Sequence, residues 1–156
     1  MYDDSPSARV GIYYYENGAY PRKPKVIYDR ANSSFYSLKI DEIPEKAYTA
    51  SRCFHTSGIT LALSPKVRET TIEMIKRFKA AGTLVSFDVN FRGNLWTGEE
   101  AKECIEQILP YVDIVFCSED TARLTFLKNG SAKEKMKSFT KEYPISIVAS
   151  TQRIVH

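Results

Sequence analysis

The pattern of apolar and polar residues changes near residue 45 of the chain. From there on, short continuous apolar runs alternate with segments whose apolar residues recur every three or four positions, which predicts strands alternating with amphipathic helices. The runs predicted to be strands are 51–55, 83–88, 113–117 and 145–149. Strands of continuous apolar character are typical of parallel sheets buried on both faces. The sequence therefore predicts an α/β fold with helices on both faces of a parallel sheet.

Polar residues sharpen the predicted starts of the helices. Ser64 followed by proline has the residue types of an N-cap and a first helical residue. Residues 97–100 and 131–134 each match a capping box, and Ser118 is predicted to cap a helix that runs to Gly130. The inward face of the helix after Ser64 is predicted to consist of Val67, Thr71, Ile75 and Phe78.

Residues 1–45 are rich in Tyr, Pro, Asn and Ser and show no helical period. Residues 10–15 and 25–28 are aromatic and β-branched, which predicts two strands, and the turn signal Asn17–Gly18 follows the first. A two-stranded ribbon is too thin to be stable unless it packs on something else. We therefore predict two parts, a β-ribbon segment over 1–45 and an α/β core over 46–156.

Composition and charge narrow the classes of partner. The 156 residues carry a net charge of +3, too small to indicate a surface for nucleic acid or for an anionic membrane. No apolar run approaches the roughly 18 residues of a membrane span. The N-terminus is polar and acidic, unlike a signal peptide. We therefore expect a soluble cytoplasmic protein.

Three scattered cysteines, Cys53, Cys104 and Cys117, lie in apolar segments without C-x-x-C spacing. This pattern predicts reduced, buried thiols rather than a disulfide framework. Cys53 and His55 are two residues apart on one predicted strand, so a Cys–His nucleophile is one interpretation. A buried thiol beside a hydrogen-bonded core histidine is the favoured one.

Polar residues follow the second core strand, where ligands of parallel α/β sheets bind. If the extended conformation continues there, Asp88, Asn90 and Arg92 point to the same side. An arginine so placed can bind a carboxylate or phosphate through two parallel hydrogen bonds. The alternative is a loop in which Asp88 and Asn90 satisfy nearby backbone groups.

The predicted ribbon also carries candidate binding residues. Tyr28 and Arg30 share one face of the second strand, and Tyr13 and Tyr15 share one face of the first. A ribbon of phenols and a guanidinium suits a lid over a polar organic acid or a sugar. The alternative is a tyrosine-rich hairpin that packs on its own domain.

Four motifs together resemble the ribokinase-like (PfkB) carbohydrate kinases, and among them most closely the 2-keto-3-deoxygluconate kinases. They are G-I-Y-Y at 11–14, V-I-Y-D-R at 26–30, T-S-G-I at 56–59, and D-V-N-F-R at 88–92 followed by Leu95–Trp96. The resemblance implies a three-layer α/β domain with a small β-ribbon lid near the N-terminus. It also implies transfer of the γ-phosphate of ATP to a sugar hydroxyl, with Mg²⁺ as cofactor. Lids of this family often pair between subunits, which implies a homodimer.

The resemblance further implies two groups of site residues. Those implied to bind the sugar acid are Tyr13, Tyr28, Arg30 and Arg92. Those implied to lie on the nucleotide and phosphate side are Asp88, Asn90, Ser118 and Thr121. A PfkB kinase for a neutral sugar is the nearest alternative, but such a sugar would leave Arg30 and Arg92 with less to bind.

Two departures from the family pattern bear on activity. The N-x-x-E motif is replaced by Ser118 and Thr121 at its ends, and the glycine-rich G-A-G-D segment that carries the catalytic base is not found. We therefore expect an internal part of a longer kinase, with no catalytic residue in this chain and no phosphoryl transfer on its own. The alternative is a non-catalytic α/β module, derived from such a kinase, that binds a ligand or partner.

Overall fold

The computed structural model describes residues 5–151; residues 152–156, at the end of the predicted core, lie outside the described part. Within 5–151 the strands are β1 (Ile12–Glu16), β2 (Lys25–Asp29), β3 (Cys53–Ser57), β4 (Leu84–Asp88), β5 (Ile114–Phe116) and β6 (Ile147–Ala149). The α-helices are α1 (Glu45–Ala50), α2 (Gly58–Ala62), α3 (Pro65–Ala80), α4 (Gly98–Glu106), α5 (Glu119–Leu124) and α6 (Ala132–Glu142). None of these helices is long and apolar enough to cross a membrane.

Strands β3 to β6 form a parallel sheet in the order β3-β4-β5-β6. Neighbouring strands are joined by helices, and each observed strand overlaps a predicted one. The predicted α/β fold is confirmed. The parallel arrangement brings the ends of β3 and β4 together, with Ser57 paired to Asp88.

One face of this sheet carries the helices. Val85, Phe87 and Val115 on that face are fully buried, and the Phe54 ring stacks 4.2 Å from the Phe78 ring of α3. Each new strand is added at the same edge of the sheet, next to the strand before it in the sequence. Right-handed crossovers in that order all pass over the same face, so the helices lie on one face. The opposite face leaves five side chains exposed: Cys53, His55, Leu84, Phe116 and Ile147.

This open face corrects two expectations for residues 5–151. Helices were expected on both faces, and all three thiols were expected to be buried, but Cys53 is exposed. Cys104 and Cys117 are buried as expected, and burial raises the pKa of Cys117 to about 12.

The helix starts follow the cap chemistry of the sequence. Ser64 Oγ accepts a hydrogen bond from the Val67 amide at 3.2 Å, and the four predicted inward residues of α3 are buried. The two predicted capping boxes, at 97–100 and 131–134, are both formed. In the first, the Thr97 amide donates to the Glu100 carboxylate at 2.8 Å, and this hydrogen bond lowers the pKa of Glu100.

Helix α5 is shorter than predicted, ending at Leu124 rather than near Gly130. Leu127 adopts a left-handed conformation with φ of 55°, and the Lys128 amide bonds back to the Ala122 carbonyl at 3.0 Å. This closure ends the helix early, because a left-handed residue cannot continue it.

The ribbon, strands β1 and β2, is antiparallel as predicted, and every residue of its strands is exposed. The segment after it joins the core. Leu38 is buried, and Thr70 of α3 donates a hydrogen bond to the Leu38 carbonyl at 3.1 Å. The division into a ribbon segment over 1–45 and a core over 46–156 stays a prediction.

Candidate functional site

Three of the predicted site residues meet on the ribbon. Tyr13 and Tyr28 are direct cross-strand partners, and their ring centroids lie 6.3 Å apart. The Arg30 guanidinium carbon lies 4.7 Å from the centroid of the Tyr28 ring, within range of a cation–π interaction. Both phenols are more than half exposed, whereas Arg30 is half-buried. This ribbon cluster of Tyr13, Tyr28 and Arg30 can donate hydrogen bonds to an anion or a hydroxyl-rich molecule.

The second group lies where β3 and β4 end, at the carboxyl edge of the sheet. Asp88 Oδ1 accepts a hydrogen bond from the Asn90 amide at 3.0 Å, and Asn90 has a φ of 35°. The extended conformation therefore stops at Asp88, so the condition under which Asp88, Asn90 and Arg92 would point to one side is not met. The loop alternative is the one observed, because the Asp88 side chain satisfies a backbone donor.

Arg92 is exposed at the outer end of this loop. Its Nη1 donates to the Phe91 carbonyl at 3.3 Å, and within residues 5–151 no hydrogen bond joins its side chain to the ribbon cluster. A guanidinium has five N–H donors, so most of this group faces solvent. The structure thus places the two candidate arginines, Arg30 and Arg92, on separate elements.

At the carboxyl edge the backbone of Gly58 lies very close to the backbone of Val89. A Cβ atom at this position would lie 2.1 Å from the Val89 carbonyl oxygen and 3.6 Å from Cζ2 of Trp96. Only glycine permits this approach of the β3–α2 junction to the residue that precedes Asn90. The T-S-G-I motif contains this glycine, but its spacing does not reveal the contact.

A cavity of about 520 Å³ opens beside β3, and Ser57, Asp88 and Asn90 contribute polar atoms to its lining. Thr71 also lines it, and its buried hydroxyl has no hydrogen-bond partner among residues 5–151. His55 Nδ1 lies 3.0 Å from Ser86 Oγ, so this ring nitrogen already has a hydrogen-bond partner. In the described residues Cys53 and His55 form no hydrogen-bonded pair, and His55 is exposed rather than in the core.

Ser118 and Thr121 lie at the start of α5. Ser118 Oγ accepts from the Thr121 amide at 3.2 Å and lies 2.9 Å from Thr121 Oγ1. Between them, Glu119 is paired with the buried Lys135 at 2.8 Å, and Asp120 with Arg123 at 3.3 Å. These side chains are engaged in local contacts, and residues 5–151 contain no cluster of three or more His, Cys, Asp or Glu suited to a metal ion. Because Mg²⁺ in kinases is bound by one or two carboxylates together with substrate phosphates and water, the expected Mg²⁺ cofactor stays a prediction.

Arg9, which was not among the predicted site residues, contacts the end of β2. Its guanidinium pairs with Asp29 at 2.8 Å and reaches backbone carbonyls at the end of β2. No local signal reveals this contact, because the partners lie twenty or more residues along the chain.

Comparison with known proteins gives one consistent family. The model of the pfkB family carbohydrate kinases matches residues 2–152. A 2-dehydro-3-deoxygalactonokinase of Haloferax volcanii is 35% identical over 145 residues, covering 93% of this chain and 46% of the relative.

Solved structures agree with that match. The 2-dehydro-3-deoxygluconokinase of Thermotoga maritima superposes with a TM-score of 0.86 at 30% identity, over 94% of this chain and 47% of that one. A sugar kinase of Pyrococcus horikoshii in complex with ATP superposes with a TM-score of 0.65 at 25% identity, over 79% of this chain and 40% of that one. The chain spans about half the length of the relatives it matches.

Proposed function

The chain belongs to the pfkB family of carbohydrate kinases, and from that membership we propose that it carries the sugar-acid-binding part of an ATP-dependent kinase. The proposed substrate is 2-keto-3-deoxygluconate, phosphorylated on a hydroxyl. Its galactose-derived epimer is the second candidate, because the relatives named above include kinases of both sugar acids. The proposal includes a cytoplasmic location, where ATP is available.

The ribbon cluster is the observation that supports a sugar acid. A guanidinium 4.7 Å from an aromatic ring, flanked by two exposed phenols, offers a cation and hydroxyl donors on one surface. Arginine binds a carboxylate through two parallel, charge-assisted hydrogen bonds, while phenols bind hydroxyls. Arg92 would supply a second cation from the carboxyl edge. A neutral sugar has no charge to compensate either guanidinium.

The nucleotide side of the proposal rests on the family. Asp88, Asn90, Ser118 and Thr121 are proposed to face the phosphates of ATP. Mg²⁺ is proposed as the cofactor of the whole kinase, in which the phosphates of ATP would supply many of its ligands. The 156-residue polypeptide is proposed to bind the sugar acid without transferring phosphate, since G-A-G-D is not in its sequence. The proposed homodimer would form through the ribbon, all of whose strand residues are exposed.

The test is calorimetric titration of the chain with 2-keto-3-deoxygluconate and, separately, with fructose. We expect the acid to bind more tightly, and we expect Arg30→Ala and Arg92→Ala each to weaken it at least about tenfold, as for loss of a charge-assisted hydrogen bond. Arg22→Ala is the matched control, because Arg22 pairs with Glu16 elsewhere on the ribbon. Equal affinity for fructose, or indifference to both substitutions, would contradict the proposal.

A non-catalytic binding module is the second candidate. The mutual hydrogen bond of Ser118 and Thr121 and the Glu119–Lys135 pair favour it, because these side chains are already engaged. Thermal-shift measurements with the sugar acid, on the wild type and on Arg92→Ala, separate the candidates. Stabilisation that depends on Arg92 would support the sugar-acid site, whereas its absence would favour the module. Measurable ATP-dependent phosphorylation by the purified 156-residue polypeptide would contradict both.

A further inference from the structure

The side chain of Arg9 forms hydrogen bonds with the residues on both sides of Arg30 in the sequence. Its Nη2 donates to Oδ1 of Asp29 at 2.8 Å and to the Asp29 carbonyl at 3.1 Å, and its Nη1 donates to the Ala31 carbonyl at 3.1 Å. The three acceptors belong to the residues immediately before and after Arg30. One side chain therefore fixes the backbone on each side of the arginine in the ribbon cluster.

The backbone around Arg9 also packs close to Arg30. The Arg9 amide donates to Ser34 Oγ at 3.1 Å, and the Ser34 amide donates to the Arg9 carbonyl at 2.9 Å. A Cβ atom on Gly11 would lie 3.1 Å from Cβ of Arg30, so the chain entering β1 packs directly against that residue. Arg30 is half-buried beside strands whose residues are all exposed, which is the result of this packing.

We propose that Arg9 is a positioning residue, which orders Arg30 over the Tyr28 ring before an anion binds. This inference deepens the proposed function and rests on it for the identity of the anion. The planar fork of arginine suits three acceptors in a fixed geometry, whereas a lysine ammonium cannot contact the same set. Ordering Arg30 in the free protein removes part of the entropic cost of immobilising it on binding.

A role in stability alone is the competing explanation, and exposure argues against it. The side chains of Arg9 and Asp29 are 38% and 52% exposed, and surface ion pairs of this kind contribute little to stability. The ribbon contains a matched pair for comparison. Arg22 and Glu16 are also 2.8 Å apart and exposed, but they do not flank Arg30.

The first measurement needs no ligand. Backbone and side-chain ¹⁵N relaxation of Arg30 is recorded for the wild type, Arg9→Ala, Arg9→Lys and Arg22→Ala. We expect the order parameter of Arg30 to fall from a rigid value of about 0.85 to below roughly 0.6 in both Arg9 variants, and to stay unchanged in Arg22→Ala. An unchanged order parameter in the Arg9 variants would overturn the inference.

The second measurement is a double-mutant cycle in binding of 2-keto-3-deoxygluconate. Arg9→Ala is expected to raise Kd about tenfold in the wild-type background, and by no more than about twofold when Arg30 is already alanine. An equal loss in both backgrounds would show that Arg9 does not act through Arg30 and would overturn the inference. If the wild type does not bind the acid at all, the proposed function fails, and the order of Arg30 still decides the role of Arg9.

Discussion

Replacement of Gly58 by alanine tests how the carboxyl edge is held. The added Cβ would lie 2.1 Å from the Val89 carbonyl oxygen, whereas real Cβ atoms essentially never approach another heavy atom within 3.0 Å. One backbone segment must therefore move by about 0.9 Å or more, and a carbonyl fixed in the chain cannot swing aside as a flexible side chain would.

The expected cost follows from this overlap. Overpacking a filled site costs about 1–3 kcal/mol, and a backbone clash belongs at the upper end, so we expect about 3 kcal/mol. For a chain of this size, each kcal/mol lowers Tm by about 2–4 °C, which predicts a fall of roughly 6–12 °C. Because Val89 precedes Asn90, the shift should also displace the loop that carries Arg92 and weaken sugar-acid binding.

Two further glycines separate steric clash from backbone strain. Gly82 has a φ of 80° with no atom within 4 Å of an added Cβ, so Gly82→Ala should cost about 1–2 kcal/mol through conformation alone. Gly98 begins α4 and its added Cβ would have its nearest neighbour at 3.9 Å, so Gly98→Ala should be neutral or stabilising by up to about 1 kcal/mol.

Urea unfolding followed by fluorescence of Trp96 is a suitable assay for the series. Trp96 is the one tryptophan of the sequence, it is buried, and its ring lies 3.6 Å from the added Cβ of residue 58. If Gly58→Ala costs no more free energy of unfolding than Gly82→Ala, the backbone clash carries no penalty and the close approach at Gly58 does not hold the carboxyl edge.

Two other predictions concern the thiols and a helix cap. In the native protein at neutral pH, Ellman's reagent should titrate Cys53 rapidly and leave the buried Cys104 and Cys117 unreacted, and Cys53→Ser should abolish the fast phase. Thr97→Ala should lower the free energy of unfolding by about 1 kcal/mol through loss of the cap of α4, measured by urea unfolding at neutral pH. Because the pKa of Glu100 is lowered from 4.5 on folding, wild type should lose its advantage over Glu100→Gln as the pH falls through that lowered pKa, whereas a constant difference would exclude this linkage.

The helix starts could be predicted because cap chemistry is local. The cap side chains of Ser64, Thr97 and Ser131 each contact an amide three positions away, so residue type and spacing are enough to locate them. The early end of α5 was missed because it depends on a left-handed Leu127, which the residue type does not indicate.

Burial was predicted less well because it depends on which elements cover each face. The apolar runs indicated strands, but the order β3-β4-β5-β6 with right-handed crossovers decides that the helices share one face. Cys53 faces away from them and is exposed. Residue spacing likewise placed Tyr28 beside Arg30, but it could not reveal that Arg9, twenty residues away from Asp29, holds that end of the strand.

The two candidate arginines are held by different elements, and within residues 5–151 no hydrogen bond or ion pair joins the side chains that hold them. Arg30 depends on Arg9, and Arg92 depends on the loop that Gly58 supports through Val89. Separate sites without shared partners have additive effects on stability. Arg9→Ala and Gly58→Ala should therefore add in unfolding experiments. In binding they should not add if both arginines contact one carboxylate, because weakening either contact changes what the other can contribute. Non-additivity confined to binding would place Arg30 and Arg92 on the same anion.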